Sequence, residues 1–222
     1  MTVTDSIAVA QLYQESRERI IALVSGADQE TWNMPVTACP GWSVRDVVAH
    51  QAAVAEDWVS GRLTGTPTDE ETAAQLVRFR GHDVEELLTA WTDAATQMDH
   101  QAEHPGVKPP VGDVTVHEHD IRSAIGRPGA RDSAGVHYCA DLLLTILRTP
   151  VPLTVTVEDA RYRCGPDDGP ELTLRTTRFE AVRWRTGRRS RAQLAAMDWS
   201  DDPTPVLDYL HLFGPAAADV IE

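Results

Sequence analysis

Two acidic residues and a histidine recur at helical spacing near the middle of the chain. Asp113 and His117 are four residues apart and Asp120 follows three later, so on a helix all three share one face. Val114 and Ile121 form an apolar stripe beside them. Burying ionisable groups costs several kcal/mol unless they pair or bind a metal. A carboxylate and an imidazole at this spacing can reach one divalent ion, so the segment predicts half of a metal site.

The same residues also fit ordinary structural roles. Asp113 could cap the start of a helix, and His117 could be a hydrogen-bonded core residue. Asp120 could pair with Arg122 or face solvent. Pro110 favours a helix that is already running at Asp113, because proline prefers the first helical position.

A further candidate ligand, His50, lies on a separate predicted helix. That helix spans 44–63, with Ser43 as its N-cap. His50 falls inside the apolar stripe of the helix. It is therefore either a hydrogen-bonded core histidine or, jointly with Asp113 and His117, a metal ligand.

These segments belong to a predicted four-helix bundle. Apolar residues at spacings of three and four indicate the helices, and residues 64–82 are typical of a polar loop. The predicted helices span 5–27, 44–63, a segment that starts at Asp83, and 110–126. Facing side chains in such bundles commonly build a metal site.

Past residue 130 the pattern changes to short alternating strands. Strands are predicted over 153–157 and 171–176, with CGPDDGP between them as a turn, and helices over 132–147, 179–185, 190–197 and 201–212. We therefore predict an α+β protein: a four-helix bundle over 1–130 and a small α/β domain over 131–222. The helix over 132–147 either connects the two or belongs to the second.

Composition restricts the class of partner. The 222 residues carry a net charge of −14, with a pI near 4.9, which argues against nucleic acid or an anionic membrane as a partner. Cys39, Cys139 and Cys164 are widely spaced and indicate a reducing compartment. No apolar run is long enough for a membrane span, and the first residues lack signal-peptide features. We expect a cytoplasmic protein.

Two motifs, taken together, resemble a known family. CPGWSVRDVVAH at 39–50 and DVTVHEHDIRSAIGRP at 113–128 resemble the mycothiol-dependent maleylpyruvate isomerase family of the DinB-like metal-binding superfamily. TGRRSRAQL at 186–194 is similar to the C-terminal signature of that family. The resemblance implies a DinB-like bundle, a divalent metal that is usually zinc, and chemistry on mycothiol or a similar thiol. One position departs from the pattern, because the acidic ligand is often glutamate there and aspartate here.

The resemblance also implies roles for individual residues. By position, His50, Asp113 and His117 would be the metal ligands, with Asp120 behind them orienting an imidazole N–H unless it pairs with Arg122. Three protein ligands leave a position open, as in catalytic zinc sites. A metal-bound thiol is deprotonated and becomes a nucleophile. No protein side chain then serves as nucleophile, and Cys39 would be a small buried residue.

A basic segment stands out against the acidic chain. Residues 175–191 contain seven arginines and one acidic residue, Glu180. The segment is either a solvated or docking helix face, or a site where Arg188 or Arg189 holds a substrate carboxylate by paired hydrogen bonds.

The favoured function is a zinc-dependent enzyme that activates a thiol for isomerisation of, or S-transfer to, an electrophilic small molecule. A non-catalytic, stress-related metal-binding domain is one alternative. The other is a hydrolase that uses zinc-bound water, with Asp113 or Asp120 as base.

Overall fold

The computed structural model describes residues 2–63 and 65–222, which form two compact units. One unit ends at Pro128 and the other spans Gly129–Glu222. No helix in the described ranges is both long and apolar enough to cross a membrane.

Six helices make up the first unit. They are α1 (Val3–Val24), α2 (Gln29–Trp32), α3 (Val44–Val59), α4 (Asp69–Phe79), α5 (Val84–Ala102) and α6 (Val111–Ala124). Helices α1, α3, α5 and α6 form the predicted bundle, in which α1 and α3 each pack against both α5 and α6. Its core includes the fully buried Ile20, Val47, Trp91, Met98 and Ile121.

Helix ends follow local capping chemistry. The Ser43 hydroxyl accepts from the Asp46 N–H and the Asp46 carboxylate accepts from the Ser43 N–H, which confirms the predicted start of α3. Asp83 caps α5 in the same way. α6 begins at Val111 and has no side-chain cap, so Asp113 lies within its first turn and the alternative role of Asp113 as a cap is wrong. Gly126, with φ of +63°, follows the end of α6.

The predicted loop over 64–82 is wrong for residues 69–79, which form α4. (Thr64 lies outside the described residues.) Thr68 and Glu71 make a capping box at its start. An apolar pattern does not predict this helix, because its two buried side chains are Gln75 and Phe79 and its other side chains are exposed or half-buried. α4 packs on α3.

The second unit is a mixed sheet with short helices. Its elements are α7 (Ala134–Thr145), β1 (Leu153–Thr156), β2 (Arg161–Cys164), β3 (Leu172–Arg175), α8 (Arg178–Arg185), α9 (Arg191–Ala195) and β4 (Asp198–Trp199). The strand order is β2-β1-β3-β4, with β1 antiparallel to β2 and parallel to β3, and β3 antiparallel to β4.

Two expectations for this unit need correction. The strands predicted over 153–157 and 171–176 are not joined by a simple turn, because β2 lies between them in sequence and forms the hairpin with β1. β2 was missed because RYRC lacks an apolar alternation. The helix predicted over 201–212 is a single 3-10 turn, Leu207–Tyr209.

Candidate metal centre

The candidate centre lies where two core helices of the bundle face each other. α3 supplies His50 and α6 supplies Asp113 and His117, and the two helices pack together. The imidazoles of His50 and His117 are buried, and their ring centroids are 5.1 Å apart. The sequence placed these residues on two separate helices, and the fold brings them together.

The three side chains converge on one point. Oδ1 of Asp113 is 3.6 Å from Nε2 of His50 and 3.6 Å from Nε2 of His117. One ligand atom from each residue lies within 4.8 Å of the other two. In a tetrahedral site with bonds of about 2.0–2.1 Å, neighbouring ligand atoms are about 3.4 Å apart. The donor set and its spacing therefore fit a divalent ion such as zinc.

Asp113 is the accessible member of the group, with 27 % of its side chain exposed. Burial alone would raise the pKa of Asp113, but its electrostatic interactions with the nearby imidazoles of His50 and His117 and the hydrogen bond from Gln51 outweigh it. The pKa of Asp113 therefore lies well below its ordinary value. The carboxylate is ionised at neutral pH, as a metal ligand must be.

Each imidazole is held through its other nitrogen. Nδ1 of His117 is 2.9 Å from Oδ2 of Asp120, whose side chain is fully buried. Nδ1 of His50 is 2.9 Å from Oε1 of Gln75 on α4. Both rings thus turn Nε2 toward Asp113, which is the arrangement found when a metal-binding histidine donates its remote N–H to an acceptor.

The second carboxylate oxygen of Asp113 is also engaged. Nε2 of Gln51, the residue after His50 on α3, donates to Oδ2 of Asp113 at 2.5 Å. Oδ1 is left to face the two histidines. The carboxylate is therefore oriented for binding through a single oxygen.

A tight turn over Cys39–Trp42 covers one side of the centre. The Trp42 N–H donates to the Cys39 carbonyl at 3.0 Å, and Gly41 at the third position has a φ of +85°. Pro40 precedes it, which is the pattern of a type II turn. The indole of Trp42 lies parallel to the His117 ring at 6.2 Å and tilted against His50 at 5.2 Å.

Cys39 lies beside the centre, and the expectation that it is a buried residue is wrong. Its Sγ is 3.4 Å from Oδ2 of Asp120 and 3.9 Å from Nδ1 of His117. The residue is only partly buried. These three side chains form a second group with metal-binding atoms, which shares His117 with the first.

The remaining predicted residues lie as follows. Arg122 donates to Glu118 at 2.9 Å. In the second unit, the buried guanidinium of Arg189 is bound by Glu180 at 2.7 Å and by Glu222 at 3.0 Å. Arg188 donates to the Thr186 carbonyl at 2.7 Å. A substrate-binding role for Arg188 or Arg189 stays a prediction.

The arginine-rich segment is not a solvated helix face. Four of its arginines are buried, and in three of them an ion pair within the second unit binds the guanidinium: Arg178 with Asp141, Arg183 with Glu222 and Arg189 with Glu180. Arg185 instead donates to the backbone carbonyls of Leu143 and Leu210.

Three residues behind the ligands were missed by sequence reasoning. They are Gln51, Gln75 and Asp57, whose Oδ2 accepts a hydrogen bond from Gln75 at 2.9 Å. A glutamine directly after His50, with apolar residues on both sides of the pair, is a signal that could have indicated Gln51. No pattern indicates Gln75, because its helix was itself missed.

Comparisons with known proteins agree with this architecture. The family described as mycothiol maleylpyruvate isomerase N-terminal domain matches residues 13–124. Among curated proteins, a sequence search finds no significant match. A crystal structure of the mycothiol-dependent maleylpyruvate isomerase is similar, with a TM-score of 0.54 at 13 % identity over 85 % of this chain and 90 % of that chain. A variant of that enzyme with a histidine replaced by alanine gives a TM-score of 0.53 at 13 % identity, over 84 % and 90 % of the two chains. The α+β fold is thereby confirmed.

Proposed function

The chain belongs to the mycothiol maleylpyruvate isomerase N-terminal domain family, and we therefore propose that it is a metal-dependent enzyme that activates a low-molecular-weight thiol. The thiol is mycothiol or a close relative, and the metal is zinc or another divalent ion. The reaction is isomerisation of, or S-transfer to, an electrophilic small molecule. Its proposed location is the cytoplasm. The structure describes all three cysteines and none of them forms a disulfide, which fits that location.

One observation carries the proposal. A single carboxylate oxygen of Asp113 faces Nε2 of both His50 and His117 at 3.6 Å. Two nitrogens and one oxygen make the donor set of catalytic zinc sites, which keep one position open for water or substrate. A divalent ion held by these three residues would lower the pKa of a coordinated thiol and would so supply thiolate at neutral pH.

The protein's own groups orient the ligands and shape the site. Asp120 accepts the N–H of His117, and Gln51 holds the distal oxygen of Asp113. The indole of Trp42 forms an apolar wall beside both imidazoles. Such a wall limits the access of water, which would otherwise solvate and weaken a thiolate nucleophile.

Metal content tests the centre directly. We expect wild-type protein to purify with, or take up, close to one equivalent of zinc, and His50→Ala and His117→Ala to lose most of it. His100→Ala is the matched control, because the His100 side chain is exposed and lies beside Glu103. Equal trace metal in wild type and in the two ligand variants would contradict the proposal.

The thiol is tested separately by thermal shift. With zinc present, mycothiol at about 100 times its Kd should stabilise the folded protein by about 2.7 kcal/mol, and without zinc it should have little effect. If mycothiol does not raise the melting temperature of the metal-loaded protein, that result would favour a non-catalytic metal-binding role. Product formed from a test electrophile without any thiol would favour a hydrolase.

A further inference from the structure

Helix α4 buries one polar side chain against the bundle, and that side chain reaches a candidate ligand. Gln75 is 1 % exposed. Its Oε1 lies 2.9 Å from Nδ1 of His50, and its Nε2 donates to Oδ2 of Asp57 at 2.9 Å. A buried amide is costly unless both ends are hydrogen-bonded, and here both are.

The charge of the Asp57 carboxylate determines which atoms of Gln75 donate and which accept in these two hydrogen bonds. Burial would raise the pKa of Asp57, but hydrogen bonds from Gln75, Arg62 and Arg78 outweigh it and lower the pKa, so the group is an ionised acceptor. Arg62 and Arg78 each contact Oδ1 of Asp57 at 2.8 Å.

Because Asp57 is an acceptor, it also determines the tautomer of His50. The amide NH₂ of Gln75 must face the carboxylate, so its carbonyl oxygen must face the imidazole. Nδ1 of His50 then carries the hydrogen, and in the neutral imidazole the lone pair is on Nε2, the nitrogen that faces Asp113 at 3.6 Å.

We propose that Gln75 is a positioning residue which, oriented by Asp57, holds His50 with the Nε2 lone pair toward Asp113 and so increases the metal affinity of the centre. The inference rests on the metal-binding part of the proposed function and not on its thiol chemistry. The inference assigns a role to α4, the helix that was not predicted because its sequence is mostly polar.

Zinc affinity is the direct test. Competition of the metal-free protein with a chromophoric chelator for Zn²⁺ should show a Kd 10- to 100-fold higher for Gln75→Leu than for wild type, as is usual when the hydrogen-bond partner of a metal ligand is removed. Phe79→Leu is the matched control, because Phe79 is the other buried side chain of α4. It should lower the melting temperature but leave the zinc Kd within about threefold.

A second variant separates positioning from simple stabilisation. Gln75→Glu keeps an acceptor for the N–H of His50 but places a carboxylate against Asp57. It should recover most of the zinc affinity lost in Gln75→Leu while its melting temperature stays below that of wild type. A merely structural role would make affinity follow stability in both variants, and that result would overturn the inference.

The tautomer of His50 can be observed without metal. In the metal-free wild type, ¹⁵N NMR should show His50 protonated at Nδ1, whereas Gln75→Leu should show mixed tautomers. The same tautomer and the same zinc Kd in both proteins would overturn the positioning role. A wild type that binds no zinc at all, with His50 still protonated at Nδ1, would instead contradict the proposed function.

Discussion

At the scale of single residues, the Asp113 carboxylate shows how the centre is oriented. Its Oδ1 faces two imidazoles, while its Oδ2 accepts a hydrogen bond from Gln51 on the opposite helix. An aspartate reaches less far from α6 than a glutamate would. The amide from α3 fixes which oxygen of Asp113 faces His50 and His117.

Gln51→Leu should therefore weaken metal binding. Without the amide, the Asp113 carboxylate can rotate and Oδ2 loses its partner, so we expect the zinc Kd to rise about tenfold. Chelator competition measures this change on the metal-free protein.

Gln101→Leu provides the matched control for that variant. Gln101 also donates a side-chain hydrogen bond, to the Val59 carbonyl at 2.8 Å, at the far end of α3. That end lies about 13 Å from His50 at 1.5 Å per residue. Its loss should cost about 1 kcal/mol of stability and leave the zinc Kd unchanged. Equal Kd values for Gln51→Leu and Gln101→Leu would contradict the role of Gln51.

At the scale of elements, the turn over Cys39–Trp42 joins the chain before α3 to the centre. A second backbone bond, from the Val36 N–H to the Trp42 carbonyl at 2.9 Å, closes the loop around it. The turn requires a positive φ at Gly41, where an added Cβ would meet nothing within 4 Å. Any cost of a side chain at Gly41 is therefore conformational and not steric.

Gly41→Ala should destabilise the protein by about 1–2 kcal/mol, the cost of a left-handed conformation for a residue with a Cβ. Urea unfolding measures it. Gly81→Ala is the control, since Gly81 also has open space but lacks the positive φ, and it should change stability by less than about 0.5 kcal/mol or raise it slightly. The same loss in both variants would show that the turn is not the cause.

The elements that the sequence predicted are those with local signals. Capping pairs at Ser43 and Asp83 and the apolar period of the bundle helices are encoded within a few residues, so the starts of these helices were predicted to within two residues. The end predicted at residue 63 is wrong, because α3 already ends at Val59. α4 and β2 were missed because packing against a neighbour, and not an apolar pattern of their own, determines them. The parallel pairing of β1 with β3 depends on contacts distant in sequence.

The candidate centre also has a part that the sequence predicted and a part that it did not. The i, i+4 spacing of Asp113 and His117 was readable from the sequence, and the resemblance to a known family linked them to His50. The supporting amides of Gln51 and Gln75 were not predicted, although the position of Gln51 directly after His50 was a usable signal. Their roles depend on how α3, α4 and α6 pack.

At the scale of the whole molecule, two charge effects oppose each other as the pH falls. The chain carries a net charge of −14 at pH 7, and its pI is near 4.9, so acidification toward the pI relieves self-repulsion. For Asp57, Asp113 and Asp141, burial pushes the pKa up, but neighbouring hydrogen-bond donors and positive charges outweigh it and hold the pKa below 3.8. Protonating these carboxylates removes stabilising pairs.

The local pairs should dominate at physiological salt. A carboxylate whose folded pKa is lowered gives its full stability above the unfolded value near 3.8, and that stability is lost as the pH falls toward the folded pKa. At 0.15 M salt the Debye length is about 8 Å, so general repulsion is screened while contacts of 2.8 Å, such as Arg78 with Asp57, are not. We expect the urea midpoint of the metal-free protein to change little from pH 7 to 5 and to fall steeply from pH 4 to 3.

Ionic strength distinguishes the two effects. At about 0.01 M salt the Debye length is about 30 Å, so self-repulsion acts across the whole bundle. The urea midpoint should then rise between pH 7 and 5, before falling below pH 4 as it does at higher salt. A midpoint that does not fall between pH 4 and 3 at either salt concentration would mean that these carboxylate pairs contribute little to the stability of the fold.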